Sequence, residues 1–225
     1  MKAQAPRLAT RTDISQQSQQ RAVKPVIDYY ETNAAKYHAS TVQIDPSSFL
    51  EPLARRLTPG AAILDIGCGS GRDMRWFRER GFNPRGFERS PSLAEMARSH
   101  SGCAVIEGDF ETCDFSGLSV DAVVMTGALV HIPHDCFKAV LENILQALVS
   151  AGHAFITLKE GRNPTETSYG RTFYLWEDPE LRQIFSDLNL AVVDFSRAVS
   201  KVRDTDIWLG YVVQNVEGRG PKERG

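Results

Sequence analysis

Short apolar runs alternate with amphipathic segments through the middle of the chain. The runs at residues 61–66 and 120–126 are apolar nearly throughout, as expected for strands that are buried on both faces. Apolar residues at helical spacing follow at 73–80 and 137–149, and the proline after Ser90 marks the start of another helix. Strands that alternate with helices predict an α/β fold with a mostly parallel sheet covered on both faces.

The same alternation continues toward the C-terminus. The last two predicted strands are close together in sequence, so we expect an antiparallel hairpin at one edge of the sheet. The pattern predicts further strands at 84–88, 104–107, 153–158, 191–195 and 208–214, and a short helix at 179–188.

The composition is that of an ordinary soluble globular protein. The 225 residues are 42% hydrophobic and 24% charged, with a net charge of -2. These values exclude collagen-like, coiled-coil and globally disordered chains, and the near-neutral charge argues against a dedicated nucleic-acid binder. No apolar stretch approaches the ~18 residues of a membrane span, and no signal-peptide core is present near the start. Cysteines outside any metal-binding spacing favour reduced thiols and a cytoplasmic location.

The two ends differ in composition from the middle. Residues 1–24 hold five lysines and arginines against one aspartate, with a serine and glutamine run that cannot form a core. We expect a flexible basic tail there, a disordered tail at 217–225, and one domain over 25–216 between them. A basic tail can contact RNA, but a solvated tail is the favoured interpretation.

The most informative segment is a glycine-rich turn at residues 65–73. A buried strand ends there, three alternating glycines follow, and a helix begins directly after them. Glycines permit positive φ and the close approach of a ligand, and the helix start offers unpaired N–H groups. Ser70 and Asp73 have the spacing of a capping box, which predicts that they fix the start of the helix.

Two phosphate-binding motifs fail at this turn. A P-loop ends in Gly-Lys-Ser/Thr, whereas this chain has the sequence Gly71-Arg72-Asp73. A dinucleotide fingerprint needs its third glycine at position 72, and the arginine there argues against NAD and FAD. The remaining pattern is G-x-G-x-G after a strand that carries the acid Asp65. It suits a ligand with an ammonium group, a carboxylate and a ribose but no phosphate.

The turn resembles motif I of the class I S-adenosylmethionine-dependent methyltransferases, and the resemblance extends over about residues 25–215. Glu88 stands where the family places the acid that binds both ribose hydroxyls, and Asp109 and Phe110 stand where the family contacts adenine. The segment Leu129-Val130-His131-Ile132-Pro133 is similar to the one after the fourth strand of small-molecule methyltransferases. The resemblance implies a Rossmann-like three-layer sandwich with a seven-stranded, mostly parallel sheet whose last strand is antiparallel.

The resemblance also implies a cofactor and its site. S-adenosyl-L-methionine would bind and S-adenosyl-L-homocysteine would be the product, with no metal expected. One of the tyrosines at 29–37 would close over the methionine end of the cofactor. The implied cofactor-binding residues are Tyr30, Tyr37, Asp65, Gly67, Cys68, Gly69, Gly71, Asp73, Glu88, Arg89, Asp109, Phe110, Thr126 and Gly127.

The acceptor site is less well determined. His131 is the candidate general base beside the expected methyl position, with a structural role as the alternative. Residues in the loops after the fourth and fifth strands would line the acceptor pocket, where an arginine near aromatic residues suits an anionic or planar acceptor. These candidates are His134, Lys159, Arg171 and Tyr174.

Three functional classes remain open. We favour an enzyme that methylates a small-molecule acceptor, because the Asn/Asp-Pro-Pro-Tyr/Phe signature and the catalytic cysteine pairs of other methyltransferase classes are absent. The alternative is a tRNA methyltransferase of the wobble-uridine type, which residues 173–176 and 204–209 faintly resemble. The acids Asp65, Glu88 and Asp109 argue against a non-catalytic binding protein, and no membrane partner is expected.

Overall fold

The computed structural model describes residues 29–162, 164–166 and 171–216 of the chain. The tails predicted at 1–24 and 217–225 lie outside the described residues. A helical turn at 29–32 precedes the first complete helix. The helices are α1 Ala34–Thr41, α2 Ser47–Ala54, α3 Arg72–Arg78, α4 Pro91–Ser101, α5 His134–Leu145 and α6 Asp178–Asp187, with a 3-10 turn at Leu129–His131. The strands are β1 Ala62–Ile66, β2 Asn83–Glu88, β3 Val105–Glu107, β4 Val120–Thr126, β5 Leu148–Lys159, β6 Thr165–Glu166, β7 Thr172–Phe173, β8 Leu190–Val199 and β9 Ile207–Asn215.

Seven of these strands form one sheet in the order β3-β2-β1-β4-β5-β9-β8. The strands β1 to β5 pair in parallel, and β9 is antiparallel to both β5 and β8. The predicted α/β sandwich with an antiparallel last strand is confirmed. The strand order reverses between β1 and β4, so the carboxyl ends of these two strands border a crevice, which is where such sheets bind ligands.

Two apolar layers, one on each face of the sheet, explain the continuous apolar strands. On one face Leu64 and Met125 pack in the cluster that contains the apolar side of α5 and α6. On the other face Ile63 and Val124 pack with residues of α2 and α3. Neighbouring side chains of a strand point to opposite faces, so a strand covered on both faces is apolar at almost every position.

The structure moves one predicted boundary by several residues. The helix expected at 137–149 is α5, which ends at Leu145, and the residues from Leu148 onward belong to β5 rather than to the helix. This strand is longer than the predicted 153–158, although the stretch that pairs with both β4 and β9 is only 153–157. The added start of the strand pairs with β4 through Leu148, opposite Val120 and beside a register shift.

The predicted capping box of Ser70 and Asp73 is wrong. Helix α3 starts at Arg72, and its N-cap residue is Gly71, which has a φ of 75° and no side-chain capping bond. The Asp73 carboxylate instead accepts a hydrogen bond from Arg72 Nε at 2.6 Å. The cause is the left-handed conformation of Gly71, because the residue after an N-cap must be helical and Ser70 therefore cannot be the N-cap.

Candidate functional site

The carboxyl ends of β1 and β4 meet at the crevice through two glycine-containing turns. Gly67 follows β1 and Gly127 follows β4, with φ of 63° and 65°. A Cβ added to Gly67 would lie 2.9 Å from Ala128 Cβ, so only glycine lets the two turns approach this closely. The Gly127 N–H donates to Thr157 Oγ1 at 2.8 Å, which ties the second turn to β5.

The other two glycines of the first turn have different neighbours. Gly69 lies beneath Tyr37, and a Cβ added there would be 3.1 Å from the tyrosine ring. Gly71 packs on α4, where an added Cβ would be 2.8 Å from the backbone of Ala97. Gly69 therefore allows the tyrosine to cover the turn, whereas Gly71 sets the distance between α3 and α4.

Asp65 is a buried carboxyl group with one unsatisfied oxygen. The residue is 2% exposed, and its Oδ2 atom has no hydrogen-bond partner. Burial raises the pKa of this carboxyl well above its usual range, and the nearby charge of Asp73 raises it further. An ammonium group at this position would satisfy the free oxygen and favour the ionised form.

Glu88, at the end of β2, is held by three backbone N–H groups. Its Oε2 atom accepts from the Gly69 N–H at 2.9 Å. Its Oε1 atom accepts from the N–H groups of Arg89 and Ser90 at 2.9 and 3.0 Å. Burial raises the pKa of Glu88, and these hydrogen bonds oppose that rise. The carboxylate therefore fixes the glycine turn in addition to facing a cavity.

The guanidinium of Arg89 holds two acids of the segment after β3. It donates to the carboxylates of Asp109 and Glu111, to the latter at 2.9 Å. The same guanidinium lies 5.6 Å from the ring centroid of Phe110. Asp109 also accepts the N–H of Glu111 at 2.9 Å. The Asp109 carboxylate thus accepts hydrogen bonds from both Arg89 and its own loop, while Phe110 and Arg89 line the cavity beside Glu88.

Two adjoining cavities lie at the crevice. The Glu88 cavity, of about 90 Å³, is bounded by Glu88, Leu93, Phe110 and Ile132. The Arg171 cavity, of about 490 Å³, continues from it past Asp65, Cys68 and Asp73 to Arg171. Thr126 Oγ1, between them, is buried and has no hydrogen-bond partner. The cavities share the walls Tyr30, Tyr37, Gly67, Thr126 and Gly127.

His131 is linked to the N-terminal segment and to β7 through its two ring nitrogens. Nδ1 lies 2.6 Å from the carbonyl oxygen of Thr172, so this nitrogen carries the proton. Nε2 then accepts from the hydroxyl of Tyr30 at 3.1 Å. Burial lowers the pKa of His131 to about 4, so the ring is neutral near pH 7. Its only acceptor nitrogen is already hydrogen-bonded.

The four candidate acceptor residues divide into two pairs. Lys159 and Arg171 line the Arg171 cavity. His134 and Tyr174 are not among the lining residues of either cavity. The Nε2–H of His134 donates to the Leu175 carbonyl at 2.9 Å, and its ring centroid lies 5.7 Å from that of Tyr174. These contacts give His134 and Tyr174 a packing environment outside the crevice.

Sequence reasoning missed the part of the site that β9 and the loop before it supply. The Trp208 ring lies 3.2 Å from the position of a Cβ on Gly127, and Asp206 accepts from Lys159 Nζ at 2.6 Å. Only the antiparallel pairing of Lys159 with Trp208 brings these residues to the crevice. The one signal in the sequence was the polar segment that precedes this strand.

Within the part of the chain that the structure describes, no group of three or more His, Cys, Asp or Glu side chains is placed to hold a metal ion. Among the same residues, none of the helices has the length and apolar character needed to cross a membrane.

The sequence matches a methyltransferase domain model over residues 63–152, which includes the glycine turn and Glu88. It is similar to the ubiquinone biosynthesis O-methyltransferase of Xanthomonas campestris pv. campestris, with 31% identity over 86 residues. That match covers 36% of each protein, so the chain spans about a third of the length of these relatives.

The fold is similar to that of two solved methyltransferases. Magnesium protoporphyrin IX methyltransferase from Synechocystis PCC 6803 has a TM-score of 0.69 and 14% identity, and the match covers 85% of this chain and 99% of that one. The 1,6-didemethyltoxoflavin-N1-methyltransferase of Burkholderia thailandensis has a TM-score of 0.68 and 20% identity, with 96% and 94% covered. The chain thus matches a methyltransferase domain over residues 63–152 and shares the fold of these two methyltransferases.

Proposed function

We propose that this protein binds S-adenosylmethionine at the crevice and transfers its methyl group to a small-molecule acceptor. The observation that carries the proposal is the free oxygen of buried Asp65 beside the glycine turn. A buried carboxyl group without a partner is costly unless a ligand supplies one. The cofactor has both an ammonium group for Asp65 and a ribose for Glu88.

The residues present fit this cofactor. In the proposal the nucleoside occupies the Glu88 cavity between Leu93, Phe110 and Ile132, and the amino acid part extends past Asp65. Tyr37, which lies over Gly69 and lines both cavities, would border the bound cofactor. When bound, the cofactor supplies an electrophilic methyl group on a sulfonium. The protein positions the acceptor for in-line attack and keeps water away, which provides most of the acceleration in such transfers.

The role of His131 in this proposal is to orient Tyr30. The imidazole Nε2 accepts a hydrogen bond from the Tyr30 hydroxyl, and both side chains line the Glu88 cavity. An acceptor that has to lose a proton would pass it to His131 by one of two routes. The proton would move through the Tyr30 hydroxyl, or the acceptor would replace this hydroxyl at Nε2. An acceptor that is already a nucleophile needs no base.

The acceptor is a small molecule in this proposal because of the size and position of the Arg171 cavity. Its volume of about 490 Å³ is within the range of small-molecule sites. The matched relatives are named as methyltransferases of ubiquinone biosynthesis, which also supports a small-molecule acceptor. The alternative is a tRNA acceptor, which transfer of a labelled methyl group to tRNA would reveal.

Calorimetry with S-adenosylhomocysteine tests the cofactor site. We expect micromolar binding, weakened at least 10-fold in Asp65→Asn and unchanged in the exposed control Asp135→Asn. Burial raises the pKa of Asp65 in the free protein, and an ammonium group that binds there should lower it again. Titrations in buffers of different ionisation enthalpy should show proton release in the wild type and none in Asp65→Asn. Equal affinity in both proteins would remove the cofactor from this position.

A further inference from the structure

Cationic residues outnumber acidic residues in the lining of the Arg171 cavity, unlike in the chain as a whole. Three carboxylates line it, and Asp73 and Asp206 accept from Arg72 and Lys159, each at 2.6 Å. The chain as a whole has 26 Lys+Arg against 28 Asp+Glu. A cleft with an excess of one sign of charge, in a protein whose net charge has the other sign, attracts and concentrates oppositely charged ligands. The cationic lining residues are Lys36, Arg72, Lys159, Arg171, Lys201 and Arg203.

Arg171 is the innermost of these cations. It is 8% exposed, and its guanidinium carbon lies 3.7 Å from the ring centroid of Tyr29 and 5.3 Å from that of Phe173. The Nζ atom of Lys159 lies 4.0 Å from the centroid of the same Phe173 ring. Two cations therefore border one aromatic ring inside the cavity. A guanidinium packed on aromatic rings is held in place and binds carboxylates through two parallel N–H groups.

The cavity also has flat walls. The rings of Tyr29, Tyr30, Phe173 and Trp208 all line it. Aromatic walls favour planar ligands, which can stack or pack edge-to-face against them. We propose that the acceptor is a planar aromatic carboxylate whose acid group binds Arg171, with Lys159 as the second cation. The inference rests on the proposed function only in naming this acid as the methyl acceptor.

The test compares acids with neutral molecules of the same shape. Benzoate, salicylate and naphthoate are each paired with their primary amide and titrated into the full-length protein, with and without saturating S-adenosylhomocysteine. We expect at least one acid to bind about 10-fold or more tightly than its amide, as one charge-assisted pair implies. Arg171→Gln should remove this preference, and Arg171→Lys, which keeps the charge, should retain part of it.

Two further variants make the result specific. Arg55→Gln changes an arginine whose side chain is 78% exposed, and it should leave the acid preference intact. Lys159→Gln should reduce the preference, which keeps the test valid if Arg171→Gln does not fold. The inference is wrong if no acid is preferred to its amide, or if the preference survives in Arg171→Gln. Failure of S-adenosylhomocysteine to bind, with the acid preference intact, would instead count against the proposed function alone.

Discussion

Asp65 and Glu88 are both buried acids at the ends of neighbouring strands, and they differ in their hydrogen bonds. Glu88 accepts three backbone N–H groups, whereas one oxygen of Asp65 accepts nothing. Burial raises the pKa of both carboxyl groups. Glu88 is thus partly a structural group, and Asp65 has bonding capacity left for a ligand. Variants of the two residues should therefore behave differently.

Glu88→Ala should lower both stability and cofactor affinity. Removing the carboxylate leaves the N–H groups of Gly69, Arg89 and Ser90 without their acceptor, which we expect to cost about 1–3 kcal/mol of unfolding free energy. Loss of the ribose contacts should weaken S-adenosylhomocysteine about 10- to 100-fold. Urea denaturation and calorimetry measure the two effects. The matched control is Glu95→Ala, a side chain 78% exposed, which should change neither.

His131 should make stability depend on pH in acid solution. Burial lowers the pKa of His131 to about 4, against 6.5 for an ordinary histidine. The folded state therefore binds this proton at a lower pH than the unfolded state does. The stabilisation is present above pH 6.5 and is lost as the pH falls toward 4. At pH 5.5 the loss is about 1 kcal/mol. Denaturation at pH 7.5 and 5.5 should therefore show a smaller difference for His131→Gln than for the wild type. Parallel pH curves for the two proteins would contradict the buried neutral imidazole.

Each glycine of the turn after β1 is required by a different contact of that element. Gly67 touches the turn after β4, Gly69 lies under Tyr37, and Gly71 touches α4. The next helix is fixed by a different device, because Ser90 Oγ accepts the Leu93 N–H at 3.1 Å. A valine at Gly69 would press on Tyr37 as well as on a ligand, so it is a poor test of ligand binding. Gly71 gives a clearer test of packing.

Gly71→Ala should destabilise the protein more than Gly81→Ala. Both residues have positive φ, 75° and 84°, so both substitutions have a similar backbone cost of about 1–2 kcal/mol. Only at Gly71 would the new Cβ lie 2.8 Å from Ala97, whereas nothing lies within 4 Å at Gly81. We expect the packing clash to add about 1–3 kcal/mol. Equal midpoints in urea for the two variants would contradict the close contact of α3 with α4.

The distribution of charge over the whole molecule separates a small acceptor from RNA. Residues 1–24 have a net charge of +4, so the remainder has a net charge of -6. The positive lining of the Arg171 cavity is thus a local feature of a domain that is acidic overall. Binding of a polyanion requires many phosphate contacts, and these weaken steeply with salt. A small acceptor with one acid group has a much weaker dependence on salt.

Deletion of residues 1–20 should leave methyl transfer to small molecules intact. With labelled S-adenosylmethionine and a cell extract, we expect the label in the small-molecule fraction and not in tRNA, for the full chain and for the deletion variant. Between about 50 and 200 mM salt the rate should change less than about 3-fold, whereas six or more phosphate contacts would change affinity about 10³-fold. Label in tRNA that disappears on deletion would favour the tRNA alternative instead.

The sequence by itself determined the sheet and the position of the glycine turn, because both depend on local patterns. Continuous apolar strands report burial on both faces, and alternating glycines report a turn that a side chain would block. The ends of the elements were less predictable. The helix predicted at 137–149 ends at Leu145, because the residues from Leu148 onward belong to β5. The capping box failed because Gly71 adopts a left-handed conformation that the spacing of Ser70 and Asp73 does not reveal.

Only the tertiary structure decided what surrounds the crevice. Arg171 packs on Tyr29, and Trp208 packs near Gly127, although each pair is far apart in the sequence. Likewise His131 and His134 are three residues apart, yet His131 lines the Glu88 cavity and His134 lines neither of the two crevice cavities. These relations arise from the pairing of β9 with β5 and from the placement of the N-terminal segment over the crevice. Local propensity contains no information on them, since the contacts form only when the sheet order brings distant segments together.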